Sequence, residues 1–170
     1  MIDLPFADFR GRVLVSRERV KFAHADPYGH LASGAYVDMV MSHRVEALDD
    51  LLGFSIMGAA GSGVAFPARY VAVSYLRPAF VGESLEVASW VEDLGTSSFE
   101  VRAIVSGATD RKARAVCTIH FVTVDAKTGK PAPVPDTFPS SADSNPFPGL
   151  PTSSQYQATV IGLPESWPAR

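Results

Sequence analysis

The sequence predicts an α+β domain in which one antiparallel sheet packs against a single long helix. Three observations predict it: a strand-like run near the start of the chain, one sustained helical pattern after it, and then four strand-like runs with no second helical pattern among them. A parallel sheet built from βαβ units would need a helical stretch between successive strands, and none is present.

Each element has its own signal. Residues 12–22 read as a strand, with Val13 and Val15 on one face and Leu14, Val20 and Phe22 on the other; Asp26-Pro27 ends it. Ser33 suits a helix N-cap, because its hydroxyl can accept from an orphan N–H of the first turn. From there Val37, Val40, Met41, Val45, Leu48, Leu51 and Leu52 recur at three- and four-residue spacing, opposite Asp38, Ser42, Glu46 and Asp49. Gly53 fits the stop. After the Gly58–Gly63 loop, strand character returns over 68–77, 85–94, 98–107 and 113–124. In the third of these, Phe99, Val101, Ala103 and Val105 alternate with Glu100, Arg102, Ile104 and Ser106, which reads as a half-buried meander strand.

The domain is expected to span 1–135, followed by an extended tail over 136–170. Nine of the thirteen prolines fall from Pro131 onward, among Ser, Asn, Gly and Thr. The tail also holds Phe138, Phe147, Leu150, Tyr156 and Trp167, so it is expected to lie along the domain or a neighbouring subunit.

Composition excludes several function classes. A net charge of −3 argues against a nucleic-acid partner, since such domains present a basic excess to phosphate. No apolar run approaches the roughly 20 residues of a membrane span, and the first residues lack the basic and apolar regions of a secretion signal. With Cys117 as the one cysteine, neither an internal disulfide nor a cysteine-based zinc site is expected, and a cytoplasmic location is. His43 and Glu46 share a helix face at i,i+3, but no second His-rich element accompanies them, so no metal site is expected.

The segment Val20–Tyr36, which contains His24-Ala25-Asp26-Pro27-Tyr28-Gly29-His30-Leu31-Ala32-Ser33-Gly34, places one carboxylate and one imidazole between a strand and the long helix. It resembles the opening motif of the hotdog-fold acyl-CoA thioesterases of the 4-hydroxybenzoyl-CoA thioesterase type: an extended segment ending in aspartate, a Gly-His turn, then a helix whose first N–H groups face the thioester carbonyl. The match departs from the family at the residues after the Gly-His, where Leu31-Ala32-Ser33 stands in place of Val-Asn-Asn. The resemblance implies a hotdog fold, a sheet wrapped around a central helix, that works without metal or redox cofactor as a homodimer or homotetramer. It also implies Asp26 as nucleophile or general base, His30 as a second catalytic group, and Ser33, Gly34 and Tyr28 around the oxyanion and substrate. Glu46 is the alternative carboxylate.

Thioester hydrolysis needs a nucleophile at the carbonyl carbon and donors at the oxyanion, and these residue types supply both. A bland reading stands beside it, since Asp before Pro at a strand end is often only a turn residue. A hotdog module that binds acyl-CoA without hydrolysis, and a hotdog dehydratase or hydratase, are the rival readings. The polar turn Gly107–Arg114 carries Arg111, Lys112 and Arg114, which are candidates for the coenzyme A phosphates or simply a solvated hairpin tip. His24 is either a site wall or an exposed strand residue, and His120 is expected to be structural. The Gly58–Gly63 loop lacks a P-loop ending and could border the acyl pocket. Phe147-Pro148-Gly149-Leu150 is similar to part of a dehydratase motif, but it lies in the tail without its histidine.

Overall fold

The computed structural model describes residues 13–52 and 63–136, with side chains described over 13–46 and 63–136. The expected Gly53 stop, most of the glycine loop, and the tail from residue 137 with its Phe-Pro-Gly-Leu run lie outside the described residues.

The elements are β1 (Leu14–Arg19), a 3₁₀ turn (Phe22–His24), α1 (Ser33–Leu52), β2 (Val64–Ala65), β3 (Ala68–Tyr75), β4 (Ser84–Leu94), β5 (Ser98–Gly107), β6 (Ala113–Val122) and β7 (Val124–Asp125). Five strands form one antiparallel sheet in the order β1-β4-β5-β6-β3, and β2 pairs with β7 in a small ribbon. Consecutive β4, β5 and β6 make a meander at the centre, while β1 and β3 join its two sides from either end of the helix.

α1 lies against one face of this sheet. Tyr36, Met39 and Val40 pack there with Leu85, Val87, Val101, Ala103, Ile119 and Phe121. Asp38, Ser42 and Glu46 are exposed, as the helical pattern predicts. A second cluster, built on Ala88, Trp90, Ile104 and Val116, fills the opposite face.

Three expectations need correction. β1 ends at Arg19, and Phe22 lies in the 3₁₀ turn with 86% of its surface exposed, because Gly82 donates to the Val20 carbonyl and Val20 to the Glu83 carbonyl, which turns the chain out of the sheet. β5 is not half buried: Val101 through Gly107 are all buried, so Arg102, Ile104 and Ser106 are as covered as their apolar neighbours. Ser33 is the first helical residue instead of the cap before it, and its hydroxyl makes no hydrogen bond among the described residues. Ala32 takes the cap position, and its carbonyl accepts from Ala35 at 2.9 Å.

The helix pattern also missed two buried polar residues, His43 and Arg44. The His43 ring bridges β1 and β4, with Nδ1 2.7 Å from Ser16 Oγ and Nε2 2.8 Å from Ser89 Oγ. Burial pushes its pKa down to about 4. The unfolded chain therefore binds a proton between pH 6.5 and 4 that the folded chain refuses, and stability must rise with pH across that window. Unfolding in urea is expected to show a loss on the order of 2–3 kcal/mol between pH 7 and 4. His43→Gln should flatten that slope, and an equal slope in the variant would place the titration elsewhere.

Candidate active site

The loop between β1 and α1 is organised by one carboxylate. Asp26 Oδ1 accepts from the backbone N–H of Tyr28 and from that of His30, each at 2.9 Å. The backbone closes the same turn, with Asp26 N–H donating to the His30 carbonyl at 2.7 Å and Gly29 N–H to the Asp26 carbonyl at 3.0 Å. Gly29 sits at φ +78°, a conformation that a side chain disfavours, which is why the turn carries glycine. The bland reading of Asp26 as a turn residue is thus correct for Oδ1. Oδ2 accepts from nothing among the described residues, and the side chain is only partly buried. One oxygen shapes the loop and the other is presented.

Seven residues on, the helix begins. The N–H groups of Ser33 and Gly34 donate to nothing among the described residues, as expected of a first turn. A Cβ built on Gly34 would meet no atom within 4 Å, so the space above that amide is open. The start is also fixed from below, since Tyr75 donates its hydroxyl to the Ser33 carbonyl at 2.9 Å and its ring meets Tyr36 edge-on at 5.4 Å. Burial pushes the Tyr36 phenol up despite its hydrogen bond to the Ala79 backbone. This phenol stays neutral and braces the β3–β4 connection.

The same connection holds the Asp26 loop. Leu31 N–H donates to the Ala79 carbonyl at 2.8 Å, and His30 forms an isolated bridge with Phe80. The His30 ring stands edge-on to Phe80 at 5.1 Å and 6.4 Å from the Tyr28 ring. Tyr28 and Phe80 are themselves 79% and 52% exposed, so aromatic surface flanks the loop. His30 contributes its backbone N–H to Asp26 and its ring to this surface.

The 111–114 turn proves to be tied to that connection. Glu83 Oε2 accepts the Phe80 N–H at 3.0 Å, while Oε1 accepts Arg114 Nη2 at 2.6 Å and Nε at 2.9 Å. Arg114 also reaches Asp110 at 3.0 Å, and Arg111 lies 3.6 Å from the buried Glu86. Burial of Asp110 works against its ionised form, but the Lys112 N–H and the Arg114 guanidinium together prevail and hold its carboxyl below the usual range. A side chain at Gly107 would collide with the Asp110–Arg114 pair, so glycine makes that pair possible. Glu83, Ser84, Gly107, Thr109, Asp110 and Arg114 line a cavity of about 250 Å³. Lys112 is exposed, and no carboxylate of the described residues pairs with it.

The remaining histidines are placed apart from this site or at its margin. His24 belongs to the 3₁₀ turn, with its Nδ1 buried and unpaired, and its carbonyl accepts from Ala32 N–H at 2.8 Å. His120 lies in β6 opposite Tyr70 and Glu100. Glu46 is exposed and lies more than three turns along the helix from Ser33. Among the described residues no group of three or more His, Cys, Asp or Glu side chains is arranged to hold a metal ion. No helix there is long and apolar enough to cross a membrane. Cys117 is buried, and burial pushes its thiol up to about 12.

A five-stranded antiparallel sheet against one helix, with an Asp–Gly–His loop at the helix start, is the hotdog arrangement. The family model described as the thioesterase-like superfamily matches residues 20–140, and the chain belongs to that family. It is 26% identical over 112 residues to the long-chain acyl-CoA thioesterase FadM of Escherichia coli (strain K12), covering 66% of this chain and 83% of that protein. Among solved structures it resembles the 1,4-dihydroxy-2-naphthoyl-CoA thioesterase Slr0204 from Synechocystis at a TM-score of 0.67 and 20% identity, over 74% of this chain and 91% of that one. It also resembles SAV2348 from Staphylococcus aureus, solved in complex with CoA, at a TM-score of 0.69 and 12% identity, over 75% of this chain and 79% of that one.

Proposed function

We propose that the chain hydrolyses acyl-CoA thioesters, with the free oxygen of Asp26 acting on the carbonyl carbon and the first N–H groups of α1 receiving the oxyanion. The observation that supports this is the division of labour within Asp26: Oδ1 is committed to the Tyr28 and His30 amides, while Oδ2 has no partner among the described residues. Two N–H donors on one oxygen fix the direction of the carboxylate, as catalysis requires of a nucleophile or base. The long-chain acyl-CoA thioesterase relative supports acyl-CoA as the substrate class.

Two routes use this geometry. In one, Oδ2 bonds to the carbonyl carbon, coenzyme A leaves as its thiolate, and water cleaves the resulting mixed anhydride to free acid and Asp26 carboxylate. In the other, Oδ2 takes a proton from a water that attacks the carbonyl directly. Both place negative charge on the carbonyl oxygen, where the Ser33 and Gly34 amides and the positive end of the helix dipole stabilise it. Tyr28 and His30 serve through their amides, and the exposed aromatic surface beside them fits the pantetheine arm. The coenzyme phosphates are assigned to the 111–114 turn, with Lys112 the contact and Arg111 and Arg114 holding the turn in shape. Release of free thiol from a panel of acyl-CoAs tests the reading. Absence of release from all of them would refute it, and a short thioester lacking the nucleotide measures what the coenzyme end contributes.

The active form is proposed to be a dimer or tetramer. β3 ends the sheet with one side unpaired, and Tyr70, Val71, Tyr75 and Leu76 on or just after it are each more than a third exposed. Open strand edges with apolar side chains are normally covered. Light scattering at micromolar concentration is expected to give at least twice the 18.2 kDa chain mass, and a monomer would refute this assembly.

A further inference from the structure

α1 buries a cation that nothing among the described residues neutralises. Arg44 is 4% exposed, and its guanidinium carbon lies 3.3 Å from the centroid of the Phe121 ring. Its Nε is buried without a hydrogen-bond partner, and no carboxylate of the described residues pairs with the group. The other well-covered arginines are treated differently: Arg102 is held by Glu92, and Arg114 by Glu83 and Asp110. Burial pushes the pKa of Arg44 down to about 9, which leaves it charged at neutral pH. A buried charge without a counter-charge is unfavourable unless an anion meets it, and a guanidinium offers its donors in a fork that fits a carboxylate.

Its place on the helix indicates which carboxylate. Arg44 follows Ser33 by eleven residues, or three turns plus about 20°, so the two lie on one stripe of the helix. Val37, Val40 and Met41 fill the same stripe between them; Val40 is buried, and Val37 and Met41 are partly so. The axial separation is about 16 Å, and helical side chains lean toward the N-terminus, which brings the guanidinium several ångströms closer to the helix start. Beyond it the rings of Phe121, Phe99 and Phe66 follow one another, the first pair tilted at 5.2 Å and the second edge-on at 5.7 Å between centroids.

We propose that Arg44 is a specificity residue for the acyl group, binding a carboxylate at the far end of a chain whose thioester lies at the start of α1. The inference rests on the thioesterase reading. An extended chain advances by roughly 1.25 Å per carbon, given C–C bonds of about 1.5 Å, so the separation fits an acyl group of roughly 9–12 carbons with an acid at each end. The chain itself would run along the partly open Val37–Met41 edge of that stripe. A methyl-terminated chain of the same length leaves the guanidinium unpaired.

The test compares decanoyl-CoA with the mono-CoA thioester of decanedioic acid, by free-thiol release, in the full chain and in Arg44→Met and Arg44→Lys. The wild-type chain is expected to favour the carboxyl-terminated substrate in kcat/KM by tenfold or more, mainly through KM. Arg44→Met should lose or invert that ratio, and Arg44→Lys should keep part of it. A wild-type ratio near one that neither variant moves would overturn the proposal. So would variants that unfold more readily or change oligomeric state with the ratio intact, since the guanidinium would then serve an acid of this chain or of a second copy. If no thioester is turned over, calorimetric binding of free decanedioate against decanoate decides. Preferential binding of the diacid that Arg44→Met abolishes sustains the site without the hydrolytic reading, and equal or absent binding overturns it.

Discussion

Asp26→Asn is expected to lower kcat on the best acyl-CoA substrate by on the order of 10²-fold or more, with KM little changed. The substitution keeps an oxygen that can accept from the Tyr28 and His30 amides, so the loop retains its turn. What it removes is the charge on the second oxygen, which both proposed routes need. A melting temperature close to wild type would show that the loop has survived. A folded variant with undiminished kcat would exclude Asp26 and leave Glu46, which is exposed on α1, as the carboxylate to test next.

The second large effect is on stability. Arg102 has no exposed surface and donates Nη1 to both carboxylate oxygens of Glu92, at 2.8 and 2.9 Å. Glu92 lies at the register shift between Val91 and Asp93, where β4 carries one residue more than β5. Glu92→Ala would strand a buried guanidinium, which costs about 3 kcal/mol or more. With urea slopes of about 1–3 kcal/mol per molar, the midpoint should fall by about 1 M or more. A shift below roughly 0.3 M would mean that the remaining contacts of Arg102 neutralise it without Glu92.

Much of this arrangement was legible in the residues themselves. The bounds of β5 and the span of α1 follow from patterns of period two and 3.6, and the Asp26–Gly29–His30 spacing located the loop before any coordinates. Polar residues defeated the pattern wherever burial depended on distant partners. His43 and Arg44 read as helix surface because neither Ser16 and Ser89 on two strands nor Phe121 on a third can be seen from their own segment. Arg102 and Ser106 made β5 look half wet for the same reason. The 111–114 turn looked like three free cations, and only the fold brings Glu83 and Glu86 to two of them.

Glu83 gives the molecule a shared constraint. One of its oxygens accepts the backbone N–H of Phe80, against whose ring His30 rests, and the other holds Arg114 in the 107–114 turn. Substitutions in the two loops therefore do not act as independent events: a change at Asp110 or Arg114 reaches the Phe80 backbone through Glu83. If the 107–114 turn meets the coenzyme as proposed, a change there is felt at the Asp26 loop through this one carboxylate.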